Sequence, residues 1–367
     1  MSTRSVSRCS GPTRARVVAA LFLFAACSSA QGEARDPVAR LEEPASESDP
    51  EPIEVASAAA SVASAETRAL FAAEACDDVY EFRFFGAGGP GRPFAIEPGA
   101  EHQPIVQFDA PWGDEAVQAI AFKPLIDNKK VMHHYVVMGG ETGWLDTWAP
   151  GNEGPVLPDG VGMELPSGPA AIGLNMHYYN LTGTKTELDR SGVAVCIVRG
   201  AHLRPKVAAV HMGFAAVASP MVPPNVKGHV VTGSCVAEVT EPVTLFSLFP
   251  HMHTRGRHMK LTVTKPDGRV VTLHDGSFAF NEQAAYPIAP GYVIENGDRF
   301  TTTCTYDNTS NRSIPFGTST ENEMCFPITE YYPRGALACS SLNGGETTAD
   351  LDAAEPEASS DDLGIGL

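Results

Sequence analysis

Apolar residues in this chain gather in short runs separated by Gly, Pro, Asn and Asp, a rhythm that predicts strands. The runs fall at Gln118–Phe122, Val131–Met138, Ala170–Tyr179, Gly192–Val198, Val230–Val236, Thr244–Phe249, Lys260–Thr264, Arg269–Leu273 and Arg299–Tyr306. Most are too short for a stable helix and end on turn residues. Lys265-Pro266-Asp267-Gly268 lies between two of them and reads as a hairpin turn, because Pro presets one backbone angle and Gly accepts a positive one. No amphipathic helix of more than three turns is predicted. The fold class that follows is all-β, of β-sandwich architecture.

Composition agrees with this reading. The 34 glycines and 29 prolines oppose long helices, and 43% hydrophobic residues suffice for real cores. A length of 367 residues accommodates two ordinary domains with unstructured ends. From Ser28 to Ala75 the chain is Ala, Ser, Glu and Pro with hardly an aromatic residue, so residues 28–75 are expected to form a disordered acidic tether. The same composition returns as a tail over residues 343–367. The body between them is expected to divide near Leu203-Arg204-Pro205, giving domains at 76–204 and 205–342.

The net charge of −18 is concentrated at the ends, with ten acidic and three basic residues in 28–75 and seven acidic and no basic residues in 341–367. The body is acidic as well, which argues against a nucleic-acid partner. The start has the form of an export signal over residues 1–27. Arg4, Arg8, Arg14 and Arg16 precede an apolar run, Val17 to Ala26, too short to span a bilayer. Leu23-Phe24-Ala25-Ala26-Cys27-Ser28 resembles a bacterial lipobox, with Phe24 where leucine is usual. Cys27 is therefore the expected lipidation site, and simple cleavage near Ala30 is the alternative. The chain is expected in the periplasm or on the outer membrane, touching a membrane only through that anchor, or else secreted.

Four segments carry candidate chemistry. In Phe249-Pro250-His251-Met252-His253, a strand would put both imidazoles on one face, as a metal requires, although a solvated surface pair has the same spelling. In Val131-Met132-His133-His134-Tyr135, adjacent residues of a regular strand face opposite ways. Both histidines reach one metal only at a bulge or a strand end. Leu174-Asn175-Met176-His177-Tyr178-Tyr179 sets one histidine inside an apolar strand, and Glu321-Asn322-Glu323-Met324-Cys325-Phe326 sets a methionine beside a cysteine. Each of these alone also fits ordinary packing.

Together and in this order, the four segments resemble the copper type II, ascorbate-dependent monooxygenases, the family of dopamine β-monooxygenase and peptidylglycine α-hydroxylating monooxygenase. His253-Thr254-Arg255-Gly256-Arg257, Thr303-Cys304-Thr305-Tyr306 and Tyr331-Tyr332-Pro333 add to the likeness, which covers roughly residues 76–340. The resemblance implies two consecutive antiparallel, jelly-roll-like β-sandwich domains with a copper site on each and a solvent cleft between the two. His133, His134 and His177 would hold one copper; His251, His253 and Met324 would hold the other. Imidazole suits both oxidation states of copper, and the thioether favours Cu(I). The implied reaction hydroxylates a C–H bond of a small organic substrate with O2, with ascorbate as the electron donor. The implied disulfides are Cys76–Cys196, Cys235–Cys339 and Cys304–Cys325, which fit an oxidising compartment; by spacing alone six cysteines pair in fifteen ways.

The chain also departs from the family pattern. Met138-Gly139-Gly140 stands where the animal enzymes carry a cysteine, and Phe249 and Ile328 replace an arginine and a tyrosine of the peptide-hydroxylating member. Glycine-extended peptides are thus not expected as substrates. Asn180-Leu181-Thr182 and Asn308-Thr309-Ser310 spell glycosylation sequons and read as ordinary turns. The competing functional readings are a non-catalytic copper-binding protein for storage, sensing or delivery, and an adhesion scaffold whose histidines bind nothing.

Overall fold

A computed structural model describes residues 54–86, 89–139, 143–211, 213–217 and 220–339. The signal with Cys27, the tether up to residue 53 and the tail 343–367 lie outside the described residues. Each of the nine apolar runs centres on a strand. The hairpin turn joins Gly256–Thr264 to Val270–Ser277, with Gly268 at φ 86°. Seven further strands of five or more residues, Glu54–Ala59, Asp78–Arg83, Ile105–Asp109, Trp144–Trp148, Val161–Leu165, Tyr286–Ile294 and Phe326–Tyr332, have no matching run. Charged residues or prolines interrupt most of them. Tyr286–Ile294 holds Pro287 and Pro290 and lies at a sheet edge, where a missing N–H disrupts least.

In the first half of the body, two six-stranded sheets pack face to face. One runs Glu54–Ala59, Ile105–Asp109, Ile172–Tyr179, Met132–Met138, Trp144–Trp148, with Glu101–His102 beside Ile172–Tyr179. The other centres on Gly192–Arg199, between Val117–Leu125 and Asp78–Arg83. Val106, Phe108, Tyr135, Leu174 and Met176 of the first sheet meet Phe82, Val117, Val193, Val195 and Ile197 of the second. In the second half, two four-stranded sheets share a smaller core of Leu245, Leu248 and Ile294 against Leu261, Val263 and Phe300. Arg299–Asn308 shows the strict in–out alternation of a strand with one buried face, whereas Gly192–Arg199 is buried on both.

That two-sided burial corrects the tether. Glu54–Ala59 pairs in parallel with Ile105–Asp109, and Ser61–Val62 pairs with Asp78–Arg83. Ser64 caps the short helix Ala65–Ala69 by accepting the Thr67 N–H at 3.1 Å. Phe71 and Ala63 then cover the outer face of Gly192–Arg199, packing with Ala194, Cys196 and Val198. The expected tether 28–75 is therefore structured from Glu54 onward. One aromatic residue and one small one suffice because they only seal a flat sheet face.

Next to the expected division at 204/205, Lys206–Val207 pairs with Val161–Gly162 of the first half, and Ala208 lies in the first-half core. The six body cysteines form Cys76–Cys196, Cys235–Cys339 and Cys304–Cys325. Asn180 and Asn308 are buried, their amides donating to the carbonyls of Ile96, Glu97 and Lys185 and of Val222, Pro223 and Arg312. Both sequon asparagines thus bracket turns. No helix among the described residues is long and apolar enough to cross a membrane.

Candidate metal centre

The adjacent histidines solve their geometric problem with a bulge. Ile172–Tyr179 runs antiparallel to Met132–Met138, with His177 opposite His134 but Tyr178 opposite Met132. His133 is the extra residue, so its side chain can turn to the same side as that of His134. The ligating nitrogens of His133, His134 and His177 come within 4.8 Å of one another. His177 Nδ1 lies 2.8 Å from His134 Nε2. Burial, followed by the neighbouring His177, depresses the basicity of His133 to about pKa 2 and that of His134 well below its ordinary value. Both are neutral imidazoles, the form a metal binds.

His251 closes the strand Val243–His251, and His253 lies two residues past its end. Met252 points into the core with Met259, Cys304 and Tyr306, leaving the two imidazoles 5.3 Å apart between ring centroids. Burial lowers His251 to about pKa 4 and His253 well below 6.5. The segment that carries Met324 is fastened to this pair. Glu323 accepts the backbone N–H groups of His253 at 3.0 Å and Arg255 at 2.6 Å, and the Asn322 carbonyl faces His253 Nδ1 at 3.2 Å. Tyr306 donates its hydroxyl proton to the Met324 carbonyl at 2.8 Å, and the Cys304–Cys325 bridge holds the next residue.

Both groups come from different halves, yet they meet. The rings of His134 and His251 are 5.6 Å apart, and Phe280 of the second half packs against His133 with ring centroids 4.1 Å apart. A solvent cleft between the two groups, as the resemblance implied, is not what the structure has. His177 and His253 are 0% and 1% exposed, His133 and His251 are buried, and half-buried His134 completes the patch. A cleft of about 510 Å³ lies between Gly151–Val156 of the first half and Phe246, Ser247, Ala285 and Glu330 of the second, with none of the histidines in its lining.

The hydrogen bonds select the nitrogen that each ring offers. Gln283 Nε2 donates to the Phe280 carbonyl at 3.0 Å, so Gln283 Oε1 is what faces His251 Nδ1 at 3.0 Å and accepts its proton. The Asn322 carbonyl does the same for His253 Nδ1. Both rings of this pair therefore keep Nε2 as the lone-pair donor. In the other group, His177 Nε2 lies 2.7 Å from Glu101 Oε1, which leaves Nδ1 on the His134 side. His133 Nε2 is buried with no hydrogen-bond partner. Neutral rings, ordered tautomers and an orphaned buried nitrogen fit a soft or borderline metal held by imidazoles.

Pattern reading missed Glu101, Phe280 and Gln283. Each acts through a contact with a segment remote in sequence, and no local motif marks it. Glu323 carried a signal, since it lies inside the Glu323-Met324-Cys325 segment.

An all-β body with a cluster of imidazoles and a nearby methionine segment fits a protein that could hold a soft or borderline metal. Comparison with known proteins narrows the class. Residues 206–349 match the profile of the copper type II ascorbate-dependent monooxygenase, C-terminal domain. The second half of the body is thus similar to that domain. The chain is 29% identical over 210 residues to DBH-like monooxygenase protein 1 of Mus musculus, a match covering 53% of this chain and 34% of the relative. It is 27% identical over 206 residues to dopamine beta-hydroxylase of Canis lupus familiaris, covering 53% and 32%. The chain thus spans about a third of the length of these relatives. A solved peptide-N(4)-(N-acetyl-β-D-glucosaminyl) asparagine amidase aligns with 71% of this chain and 99% of its own, at TM-score 0.32 and 14% identity, a level that carries no argument.

Proposed function

We propose that this chain is a copper-dependent monooxygenase that hydroxylates a C–H bond of a small organic substrate with O2 and a reductant such as ascorbate. The first half, from Glu54 to Ala208, and the second half, up to Cys339, are read as two jelly-roll-like copper domains. His133, His134 and His177 hold one copper, and His251, His253 and Met324 hold the other. The observation that carries this reading is the convergence of five histidines from two halves, four of them buried, on one patch, with the Met324 segment clamped to His253 by Glu323. Bound copper would supply one-electron redox chemistry; the protein supplies neutral ligands, fixed tautomers and exclusion of water. The side cleft that reaches Glu330 and Ala285 is the proposed substrate space.

The three disulfides support an oxidising, extracytoplasmic setting. Lipidation at Cys27 in a bacterial periplasm or outer membrane completes the reading. The decisive experiment incubates copper-loaded protein with ascorbate, isotope-labelled O2 and a panel of small organic compounds. One labelled oxygen atom in a product, with matching ascorbate consumption, supports the enzyme. Tight copper binding with no labelled product across the panel favours the storage, sensing or delivery protein.

A further inference from the structure

Glu101 belongs to none of the segments that suggested metal chemistry, yet it touches both halves at the site. It lies on the two-residue strand Glu101–His102, which pairs with Tyr178 and Tyr179 and so brings it alongside His177. Its Oε1 is 2.7 Å from His177 Nε2. The same oxygen accepts the backbone N–H of Thr320 at 3.1 Å, and Oε2 accepts the Thr320 hydroxyl at 3.2 Å. Ser319 adds its hydroxyl at 3.5 Å. Two residues on, the Gln103 amide donates to the Thr318 carbonyl at 3.0 Å. Residues 101–103 and 318–320 thus form a clasp between the halves, and 318–320 lead directly into Asn322, Glu323 and Met324.

The bonds decide which nitrogen of His177 is protonated. A backbone N–H can only donate, so Oε1 is an acceptor, and the nitrogen 2.7 Å from it must carry the proton. In the neutral ring that a metal binds, His177 Nδ1 is then the lone pair, turned toward His134 Nε2 at 2.8 Å. His177 is fully buried, and Glu101 is the group that reaches its Nε2 in the folded chain. A carboxylate on the far nitrogen of a ligating histidine orients the ring and raises its donor strength.

We propose that Glu101 is a positioning residue: its carboxylate locks His177 in the Nε2–H tautomer and ties that histidine to the loop that leads to Met324. Removing the carboxylate would release both halves of the site at once, the tautomer on one side and the loop on the other. The assignment of copper to His177 rests on the function proposed above; the tautomer and the clasp do not.

The test therefore has a metal-free arm and a copper arm, using the full chain with Glu101→Ala and Glu101→Gln. In metal-free protein labelled with 15N-histidine, nitrogen chemical shifts should report Nε2–H for His177 in the parent and in Glu101→Gln, whose amide oxygen can still accept. Glu101→Ala should give mixed tautomers, with faster amide exchange at Thr320. An unchanged His177 tautomer in Glu101→Ala would overturn the proposal, whatever copper does. In the copper arm, a His253→Ala background isolates the first site. Glu101→Ala should weaken Cu(II) there about 10- to 100-fold in chelator competition and alter its EPR hyperfine splitting, with recovery in Glu101→Gln. Equal affinity in parent and Glu101→Ala also overturns it. If the parent binds no copper while the tautomer result holds, the copper reading fails and Glu101 keeps its positioning role.

Discussion

The imidazoles of His134 and His251 stand edge to face with ring centroids 5.6 Å apart, one from each half of the body. This contact is possible only because neighbouring contacts hold the halves together. Phe280 lies on His133, the Gln283 N–H donates to the Pro150 carbonyl at 2.8 Å, and Ala149 packs with Phe249 and Ile328. Desolvation keeps the rings of His133, His134, His251 and His253 uncharged, which makes the patch receptive to metal and poor at holding protons.

Copper stoichiometry follows from the two groups. Titration of chelator-treated protein with copper should saturate at two equivalents. His177→Ala and His253→Ala should each saturate at one, each losing a different EPR signal. A parent that saturates at one equivalent would contradict the two-site assignment.

Met324 separates an enzyme from a store. Met324→His should keep copper at the second site, because imidazole binds copper at least as well as a thioether does. Product formation with ascorbate should nevertheless fall by more than about tenfold, since the soft sulfur that favours the reduced metal is gone. Undiminished turnover would remove the role given to Met324. The assay is the labelled-oxygen measurement run side by side on both proteins.

Asp146 and Glu330 face each other across the halves and predict a pH dependence. Burial, together with Glu330, raises Asp146 to about 7, and burial raises Glu330 to about 7; the Tyr135 hydroxyl and Ser247 are their partners. The folded chain therefore holds protons there that the unfolded chain has lost between about pH 4 and 7. Stability from this pair falls as pH rises through that window, and the full penalty is in place above about 7. Urea unfolding at pH 5 and 8 should show a smaller alkaline loss in Asp146→Asn than in the parent, by on the order of 2 kcal/mol. Parallel losses in the two proteins would show that the pair is not protonated when folded.

Phe71 tests whether the segment before Cys76 belongs to the fold. It is 3% exposed and packs with Ala63, Ala194 and Val198, so Phe71→Ala should cost about 3–5 kcal/mol in urea unfolding. A tether residue would cost nothing measurable.

The Cys304–Cys325 bridge closes a short loop of 21 residues and adjoins Met324. Replacing both cysteines with alanine should lower stability by roughly 3 kcal/mol. Copper competition should also show weaker binding at the second site, with the first unchanged. Equal loss at both sites would mean that the bridge serves the fold at large and not the methionine.

How much was legible in the sequence depends on the range over which each signal acts. Strand periodicity is local, so the runs from Gln118–Phe122 to Arg299–Tyr306 could be read directly, as could the turn at Pro266 and Gly268. The order of the His-His, His-Tyr, His-x-His and Met-Cys segments pointed to the family for the same reason: ligand types and their chain order are written in one dimension. Local composition misled at residues 54–75, where Phe71 buries itself against a sheet formed by residues far along the chain. Only the tertiary structure decided that His133 sits on a bulge, because a bulge is a mismatch with a partner strand and not a property of the strand that carries it. The same holds for Glu101 against His177 and Thr320, Gln283 against His251, and the closure of the two histidine groups on one another. Hydrogen bonds and desolvation act through a few ångströms of space, and the chain determines which residues share that space only once all its strands have paired.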